Sequence, residues 1–343
     1  MYIVATISKN SYPAEKIEEI LKAGATMLRF NFSHGTPQDQ AGHIQTARTV
    51  IAKLGLEKSV KIIADLPGDK LRLGTFEPIH FPIKKGQLVK FVLDYNSDDP
   101  SKFIPIDADN ICKYLKAGQP ISVGDGDPAL IITEIIDENT FTALVQNNGG
   151  IQSMKGFNIG RGVDELDHFT KKTLESIAYL PKIKPDLIAL SFVNNRAYLK
   201  KAKKLLAEQY HSDKLPPLVA KLETPEAIKN LDEIAKDCDI FMVARGDLAI
   251  TAPYEMLGIY QKQIVQAAKR NNKQVIVATQ LLESLMESHT PTRSEILDLT
   301  NIVLDGADGI MFAKETGLSL TPGYSVSIAK KIINAVEKNR DKI

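Results

Sequence analysis

Short apolar segments rich in β-branched residues alternate along the chain with longer stretches of helical periodicity. Continuously apolar strands joined by helical crossovers are typical of a parallel sheet covered on its outer face. Eight such segments predict a closed (β/α)8 barrel of the TIM type, in the α/β class. An open doubly wound sheet is the alternative, but no G-x-G-x-x-G motif follows a strand to support it. The predicted strands are Tyr2–Ile7, Met27–Phe32, Lys61–Asp65, Leu187–Phe192, Leu218–Leu222, Ile240–Ala244, Gln274–Ala278 and Gly309–Phe312. The helices predicted between and after them include Ala14–Ala23, Tyr198–Glu208, Ala227–Lys236, Tyr260–Arg270 and Tyr324–Lys338.

A long segment of different character separates the third predicted strand from its helix. Period-two alternation and turn signals replace helical spacing there, as in Gln87–Tyr95 and Ala129–Ile136. This predicts a small, β-barrel-like domain at 74–162, inserted into a barrel domain formed by 1–73 and 163–343. Glycines at its exits (Gly74, Gly160 and Gly162) favour an insert that swings as a lid, and a rigid insertion is the alternative.

Charge and hydropathy exclude several classes of function. Lys and Arg total 43 against 42 Asp and Glu, and the two signs are interspersed, which argues against a nucleic-acid partner. Neither a signal peptide nor an apolar stretch long enough to span a bilayer is present, so we expect a cytoplasmic protein without a membrane partner. Cys112 and Cys238 lie far apart in the sequence and are predicted to be buried thiols.

Polar or charged residues follow seven of the predicted strands. In a closed barrel the carboxyl ends of all strands meet at one rim. A single charged residue after a strand is ordinarily solvated, but complementary types at seven strand ends favour an active site. These strand ends are Arg29–Gly35, Asp65–Arg72, Ser191–Phe192, Lys221–Pro225, Arg245–Asp247, Thr279–Gln280 and Lys314–Thr316.

Acidic and basic residues at this rim suit phosphoryl transfer assisted by a metal ion. Glu223 and Asp247 offer hard oxygen ligands from adjacent strands, as Mg²⁺ or Mn²⁺ prefers, and leave positions for water and substrate. Arg29, Arg72 and Lys221 supply positive charge for a transferring phosphoryl group. The structural alternative is that these carboxylates and Lys221 only form ion pairs.

Three further residues are binding or proton-transfer candidates. Gly246 would let backbone N–H groups approach a substrate carboxylate. Thr279 could hydrogen-bond the substrate, or a water that relays a proton. His34 is a binding candidate only, because a lone histidine more often packs or caps than acts as a base.

Several stretches, in order, resemble the pyruvate kinase family and together cover the chain outside the insertion. The resemblance implies transfer of a phosphoryl group between phosphoenolpyruvate, or a related enol phosphate, and ADP or ATP, with pyruvate as the other product and Mg²⁺ or Mn²⁺ as cofactor. The matching stretches are Leu28–Gly35, Lys221–Glu223, Phe241–Leu248, Val277–Ser284, Pro291–Glu295 and Val303–Asp308.

The resemblance also implies a role for each matching residue. Arg29 would contact the phosphoryl group and Lys221 would stabilise it in flight. The remaining roles are metal binding by Glu223 and Asp247, carboxylate binding by the Gly246 and Asp247 amides with Thr279, nucleotide contacts by His34 and Arg72, and a monovalent-cation position at Asn31, Ser33 and Asp65.

The chain departs from the family pattern at three rim loops. Lys70 stands where potassium-dependent members have glutamate, and potassium-independent members share the lysine, so we expect no K⁺ requirement. Ser8–Ser11 replaces a Gly-Pro-Ala-Ser sequence, which bears on nucleotide contacts. Ala313 and Lys314 replace a Ser-Gly pair, which removes a hydroxyl proposed in the family's proton relay and adds a cation.

The family's C-terminal domain has no counterpart in this sequence. The resemblance therefore implies an enzyme without that domain's effector site and a homodimer through the barrel, with Arg293 facing the interface. The alternative function is a metal-dependent carbon–carbon lyase or aldolase that acts through a pyruvate enolate, whose pattern Leu222–Ile228 resembles. A non-catalytic phosphoenolpyruvate-binding regulator is a third possibility. Lys221, the Arg29–Gly35 stretch and the insertion favour the kinase.

Overall fold

The predicted (β/α)8 barrel is confirmed. In the computed structural model, eight strands form a closed barrel in which each lies between its neighbours in the chain and the first pairs with the last, every pair being parallel. The structure describes residues 1–68, 71–108, 111–124, 127–159 and 169–342. The barrel strands are Tyr2–Ile7, Met27–Asn31, Lys61–Asp65, Leu187–Leu190, Leu218–Leu222, Ile240–Ala244, Gln274–Ala278 and Gly309–Phe312.

Two predicted strands end earlier than the sequence pattern indicates. The second ends at Asn31 instead of Phe32, and the fourth ends at Leu190 instead of Phe192. Phe192 has φ = 53°, in the left-handed region, so it cannot continue an extended strand. Apolar character alone could not reveal this, because phenylalanine is otherwise a strong strand former.

Polar side chains cap several helices that connect the strands. Thr36 and Thr292 each form a reciprocal capping box with an acidic residue three positions later, which fixes the first turn. The predicted helix Ala227–Lys236 is two short helices, interrupted at Asn230. The α-helices are Ala14–Ala23, Pro37–Lys53, Lys171–Ile183, Arg196–Tyr210, Pro225–Lys229, Leu231–Ala235, Arg245–Thr251, Leu257–Arg270, Arg293–Leu304, Lys314–Gly317 and Pro322–Asn339.

Apolar side chains from the strands fill the barrel interior. This cluster includes Val4, Met27, Ile63, Ala189, Val219, Met242, Ile276 and Met311. Arg29, Asp65 and Lys221 come later on these strands in the chain direction, so they lie toward the carboxyl-terminal rim. The packed interior therefore supports the residues of the rim from below.

The chain divides into two compact units. The first consists of Met1–Gly68, Phe169–Leu248 and Tyr254–Ile343, and contains the barrel; the second consists of Asp69–His168 and Ala249–Pro253. Lid motion of the inserted segment stays a prediction.

Among the described residues, no helix combines the length and apolar character needed to cross a membrane.

The second unit contains a seven-stranded sheet whose edges approach each other. Arg72, in the last strand, forms a bridge with Gly156, which directly precedes the first strand, and the Leu73 amide donates to the Lys155 carbonyl at 2.9 Å. Phenylalanine rings at 91, 141 and 157 pack against one another in its core. The strands, in sheet order, are Phe157–Ile159, Pro120–Val123, Ala129–Asp137, Thr140–Val145, Leu88–Leu93, Ile104–Asp107 and Arg72–Leu73. The paired short strands are Gly149–Gln152 with His80–Ile83, and Thr75–Phe76 with Asn96–Ser97.

Candidate active site

A buried cluster of charges centres on Lys221, near the end of the fifth barrel strand. The Lys221 Nζ lies 3.3 Å from Asp65 Oδ1 and 3.1 Å from Glu223 Oε1. It also donates a hydrogen bond of 2.7 Å to Ser191 Oγ, which in turn donates to the Leu66 carbonyl. The side chains of Asp65 and Glu223 are 1% and 0% exposed, so little water screens these charges.

Arg29 shares one of these carboxylates. Its Nε and a terminal nitrogen lie 2.7 and 2.6 Å from Asp65 Oδ2. Its other terminal nitrogen donates to Thr6 Oγ1 at 3.0 Å. Asp65 therefore holds Arg29 on one oxygen and Lys221 on the other, which fixes two predicted phosphoryl-binding cations side by side.

Burial and mutual attraction set the protonation of the cluster. Burial acts to raise the pKa of Asp65, but the charges of Lys221 and Arg29 outweigh it and hold that pKa below its ordinary value. Burial acts to lower the pKa of Lys221, but Asp65 and Glu223 raise it, so the ammonium stays charged. Ion pairing is thus present, as the structural alternative predicted, but it coexists with a concentration of charge at the rim.

Glu223 differs from Asp65 in its electrostatic balance. Burial raises its pKa to about 7, against the lowering effect of Lys221, and the negative charge of Asp247 adds to the rise. Its Oε2 accepts a hydrogen bond of 2.5 Å from the backbone N–H of Phe192, a residue with left-handed backbone conformation. Glu223 therefore has less compensating positive charge than Asp65.

The shortage of positive charge around Glu223 fits a bound divalent cation. The half-buried Asp247 is the third residue of helix Arg245–Thr251, which follows the sixth strand, and it is close enough to affect the pKa of both Lys221 and Glu223. Among the described residues, no group of three His, Cys, Asp or Glu side chains has a metal-binding arrangement. A cation at Glu223 and Asp247 would therefore rely on water or substrate for its other ligands, as Mg²⁺ commonly does.

Thr279 lies in a strained turn directly after the seventh barrel strand, at the same rim as the charges around Lys221. Thr279 and Gln280 have φ values of 70° and 52°, both left-handed, directly after the seventh strand. The Thr279 hydroxyl accepts the Gly246 N–H at 3.1 Å. The predicted carboxylate-binding residues Gly246 and Thr279 are therefore in direct contact.

Two buried residues whose roles the sequence did not predict hold this turn. Arg245 donates to the Thr279 carbonyl at 2.6 Å and the Gln280 carbonyl at 2.9 Å. Glu315, which is fully buried, accepts the amides of Leu281 and Leu282 at 3.0 and 3.4 Å. Both lie in predicted strand-end clusters, but their partners are backbone groups, for which the sequence carries no pairing signal.

The residues predicted for the monovalent-cation position are close in the chain but make different contacts. Asn31 Oδ1 accepts the Ser33 amide at 3.0 Å, whereas Asp65 is occupied by Arg29 and Lys221. The ammonium of Lys172, not singled out from sequence, donates to the Ser33 carbonyl at 2.7 Å. Lys70 lies outside the described residues, so its proposed role stays a prediction.

His34 and Arg72, the residues predicted to contact the nucleotide, belong to different units. His34 is exposed at the rim, and its backbone carbonyl accepts a hydrogen bond of 2.8 Å from the Gln40 side-chain amide. Arg72 is exposed in the inserted unit and donates to the Met154 carbonyl at 3.3 Å. Lys314, the added cation, is 54% exposed and lies 3.5 Å from Glu283. Nucleotide binding by His34 and Arg72 stays a prediction.

Comparison with known proteins identifies the family to which the chain is similar. The family model described as pyruvate kinase, barrel domain, matches residues 1–326. A pyruvate kinase from Thermococcus litoralis is 36% identical over 342 residues, which cover 99% of this chain and 70% of that relative. Pyruvate kinases from Corynebacterium glutamicum and Haemophilus influenzae are each 32% identical, over 98% of this chain and 69% and 70% of theirs. The chain therefore belongs to the pyruvate kinase family of phosphotransferases.

Proposed function

We propose that this protein transfers a phosphoryl group between phosphoenolpyruvate and ADP, with Mg²⁺ and without a K⁺ requirement. The observation that carries the proposal is the buried junction at which Asp65 holds Arg29 and Lys221 together. Two fixed cations at a barrel rim are suited to neutralising a phosphoryl group as it moves. The similarity to proteins named pyruvate kinase supports the choice of substrates.

In the proposed reaction, the bond between phosphorus and the enol oxygen breaks while a bond forms to a terminal phosphate oxygen of ADP. Arg29 binds the phosphoryl oxygens, and the Lys221 ammonium stabilises their charge during transfer. The enolate left behind takes a proton at its terminal carbon to give pyruvate, and the Thr279 hydroxyl is the group proposed to orient that proton's delivery.

Glu223 and Asp247 are proposed to hold the divalent cation. The cation, when bound, would act as a Lewis acid toward phosphoryl and enolate oxygens. The amides of Gly246 and Asp247, with the Thr279 hydroxyl, would bind the substrate carboxylate. In the free protein the Gly246 amide already donates to Thr279, so substrate binding would exchange that contact for one to the carboxylate.

The direct test is pyruvate formation from phosphoenolpyruvate and ADP in the presence of Mg²⁺. Nucleotide-dependent release of pyruvate supports the proposal. Condensation of pyruvate with an aldehyde, without nucleotide, would instead support the lyase. Phosphoenolpyruvate binding without turnover would support the regulator.

Potassium is expected to have little effect on this activity. The assay is run with K⁺ and with an equal concentration of tetramethylammonium, so that ionic strength is unchanged. Lys70→Glu, which introduces the residue that the family resemblance associates with potassium dependence, is expected to introduce K⁺ activation. A steep rise in wild-type activity with K⁺ would show that the Lys70 interpretation is wrong.

Stabilisation by Mg²⁺ is expected to increase with pH. Because the pKa of Glu223 is raised to about 7, its contribution to metal-free stability is complete below the ordinary value of 4.5 and is lost as pH rises through about 7. Mg²⁺ must displace this proton at pH 6 but not at pH 8, and one pH unit below the pKa costs about tenfold in affinity. Melting temperatures with and without Mg²⁺ should therefore differ more at pH 8 than at pH 6. Glu223→Gln is the control, and a pH-independent difference would contradict the prediction.

Gly246→Ala is expected to weaken substrate binding without weakening the fold. The added Cβ would lie 3.6 Å from Thr279 Oγ1, an ordinary contact, and Gly246 has no left-handed φ. Alanine in a helix is up to about 1 kcal/mol more favourable than glycine, so the melting temperature should not fall. A methyl group beside the Thr279 hydroxyl should raise the KM for phosphoenolpyruvate about tenfold.

The matched control for this substitution is Gly258→Ala. A Cβ at Gly258 would meet no atom within 4 Å, and that residue lies in helix Leu257–Arg270. Its KM should equal that of the wild type. An unchanged KM in Gly246→Ala would argue against carboxylate binding at Gly246.

A further inference from the structure

The conformation of Thr279 is unusual and must be held by its surroundings. Threonine is β-branched, and a left-handed backbone at such a residue is a genuine outlier. A second left-handed residue, Gln280, follows it. Such conformations persist only where neighbouring contacts over-determine them, and they occur often at active sites.

Arg245 supplies such contacts on the carbonyl side of the turn. Its Nε and one terminal nitrogen donate to the Thr279 carbonyl at 3.2 and 2.6 Å, and that terminal nitrogen also donates to Gln280 at 2.9 Å. The other terminal nitrogen lies 2.8 Å from Asp298 Oδ2 and 3.4 Å from Gln261 Oε1. The guanidinium is therefore anchored on one side and holds the turn with the other.

Glu315 fixes the same loop from its amide side. Its Oε1 accepts the Leu281 and Leu282 amides, and its Oε2 accepts the Ala313 amide at 2.9 Å. Buried charges thus satisfy carbonyls at the start of the loop and amides at its end. Burying charged side chains is costly, so these contacts to the backbone of the loop must offset that cost.

We propose that Arg245 is a positioning residue for the reaction, which sets the Thr279 hydroxyl relative to the substrate; this rests on the proposed function. Gly246 directly follows Arg245, and its amide bonds the Thr279 hydroxyl at 3.1 Å. Arg245 therefore fixes the two predicted carboxylate-binding groups together. It is 7% exposed, and none of its contacts described above is to Lys221 or Glu223.

The geometry requires a guanidinium and not merely a positive charge. The planar group donates in several fixed directions at once, whereas a lysine ammonium is a compact point charge on a flexible stem. Arg245→Lys should retain more of the fold's stability than Arg245→Met, but neither should keep the orientation of Thr279. Arg245→Lys and Arg245→Met therefore separate charge from geometry.

A double-mutant cycle tests the proposal. In the wild-type background, Arg245→Met is expected to lower kcat about 100-fold, the loss that a misplacement of roughly 1 Å can cause, with Arg245→Lys intermediate. In a Thr279→Val background, which lacks the hydroxyl, Arg245→Met should lower kcat by no more than about twofold. A residue that acts only on general stability would give the same loss in both backgrounds, and this additive result would overturn the proposal.

Separate control experiments test whether the variants fold and whether the wild-type protein has the proposed activity. Arg270→Met removes another arginine of the barrel unit, paired with Asp232 at 2.9 Å on the surface, and should leave kcat unchanged. If Arg245→Met does not fold, Arg245→Lys takes its place in the cycle. Its loss of kcat should likewise disappear in the Thr279→Val background. A wild-type protein that forms no pyruvate overturns the proposed function and this inference together. An active wild type with additive losses overturns the inference alone.

Discussion

Lys221→Met is expected to lower kcat by about 1,000-fold or more while the protein retains its metal site. Removing a positioned cation from a transferring phosphoryl group has effects of this order in other phosphotransferases. The methionine side chain is similar in length but cannot neutralise charge. Steady-state pyruvate formation measures the loss, and Mn²⁺ binding measures whether Glu223 and Asp247 still hold a metal.

The same substitution should destabilise the metal-free protein. Lys221 lies within 3.3 Å of Asp65 and 3.1 Å of Glu223, and breaking such buried pairs typically costs about 3–5 kcal/mol. Mn²⁺ should recover part of this loss, because it compensates the remaining carboxylates. Lys229→Met, at a lysine 72% exposed beside Glu226, is the control and should change stability by less than about 0.5 kcal/mol. Retention of normal turnover in Lys221→Met would rule out the proposed role.

Glu223→Gln is expected to lower activity at least about 100-fold with little loss of metal-free stability. With a pKa of about 7, Glu223 is largely neutral in slightly acidic solution, so an uncharged amide resembles its protonated form. The glutamine oxygen can still accept the Phe192 amide, but it is a much poorer ligand for Mg²⁺. Thermal unfolding at pH 6, with and without Mg²⁺, should show similar metal-free stability and a reduced response to the ion.

A matched comparison is Asp65→Asn. Asp65 holds two cations and has a lowered pKa, so neutralising it should cost far more stability than neutralising Glu223. Equal stability losses in the two variants would indicate that Glu223 is a structural ion-pair partner. Its proposed metal role would then have no support.

The barrel and most of its strands could be predicted because hydrophobic periodicity depends on nearby residues. The strand at Lys61–Asp65 matches its predicted bounds, and Asp65, Arg29 and Lys221 do meet at one rim. Parallel topology alone brings such strand ends together. The early end of the fourth strand could not be predicted, because Phe192 has a left-handed backbone there and its N–H contacts Glu223, which is distant in sequence.

The contacts that hold the Thr279 turn could not be predicted from the sequence, for a related physical reason. Arg245 and Glu315 bind backbone carbonyls and amides, which every residue possesses, so no complementary side chain marks the partner. Lys172 likewise meets a backbone carbonyl, that of Ser33, across 139 positions of sequence. Residue type shows which groups carry charge, whereas the folded path decides which backbone atoms they meet.

The shared carboxylate of Asp65 limits how this rim can be altered. Arg29, Asp65 and Lys221 come from the second, third and fifth strands, so a change at Asp65 acts on both positive charges at once. Changing either cation alone to make room for a bulkier phosphorylated compound would leave the other cation paired with Asp65. Redesign for a different donor would have to replace the acid first, and then rebuild the positions of both bases around its successor.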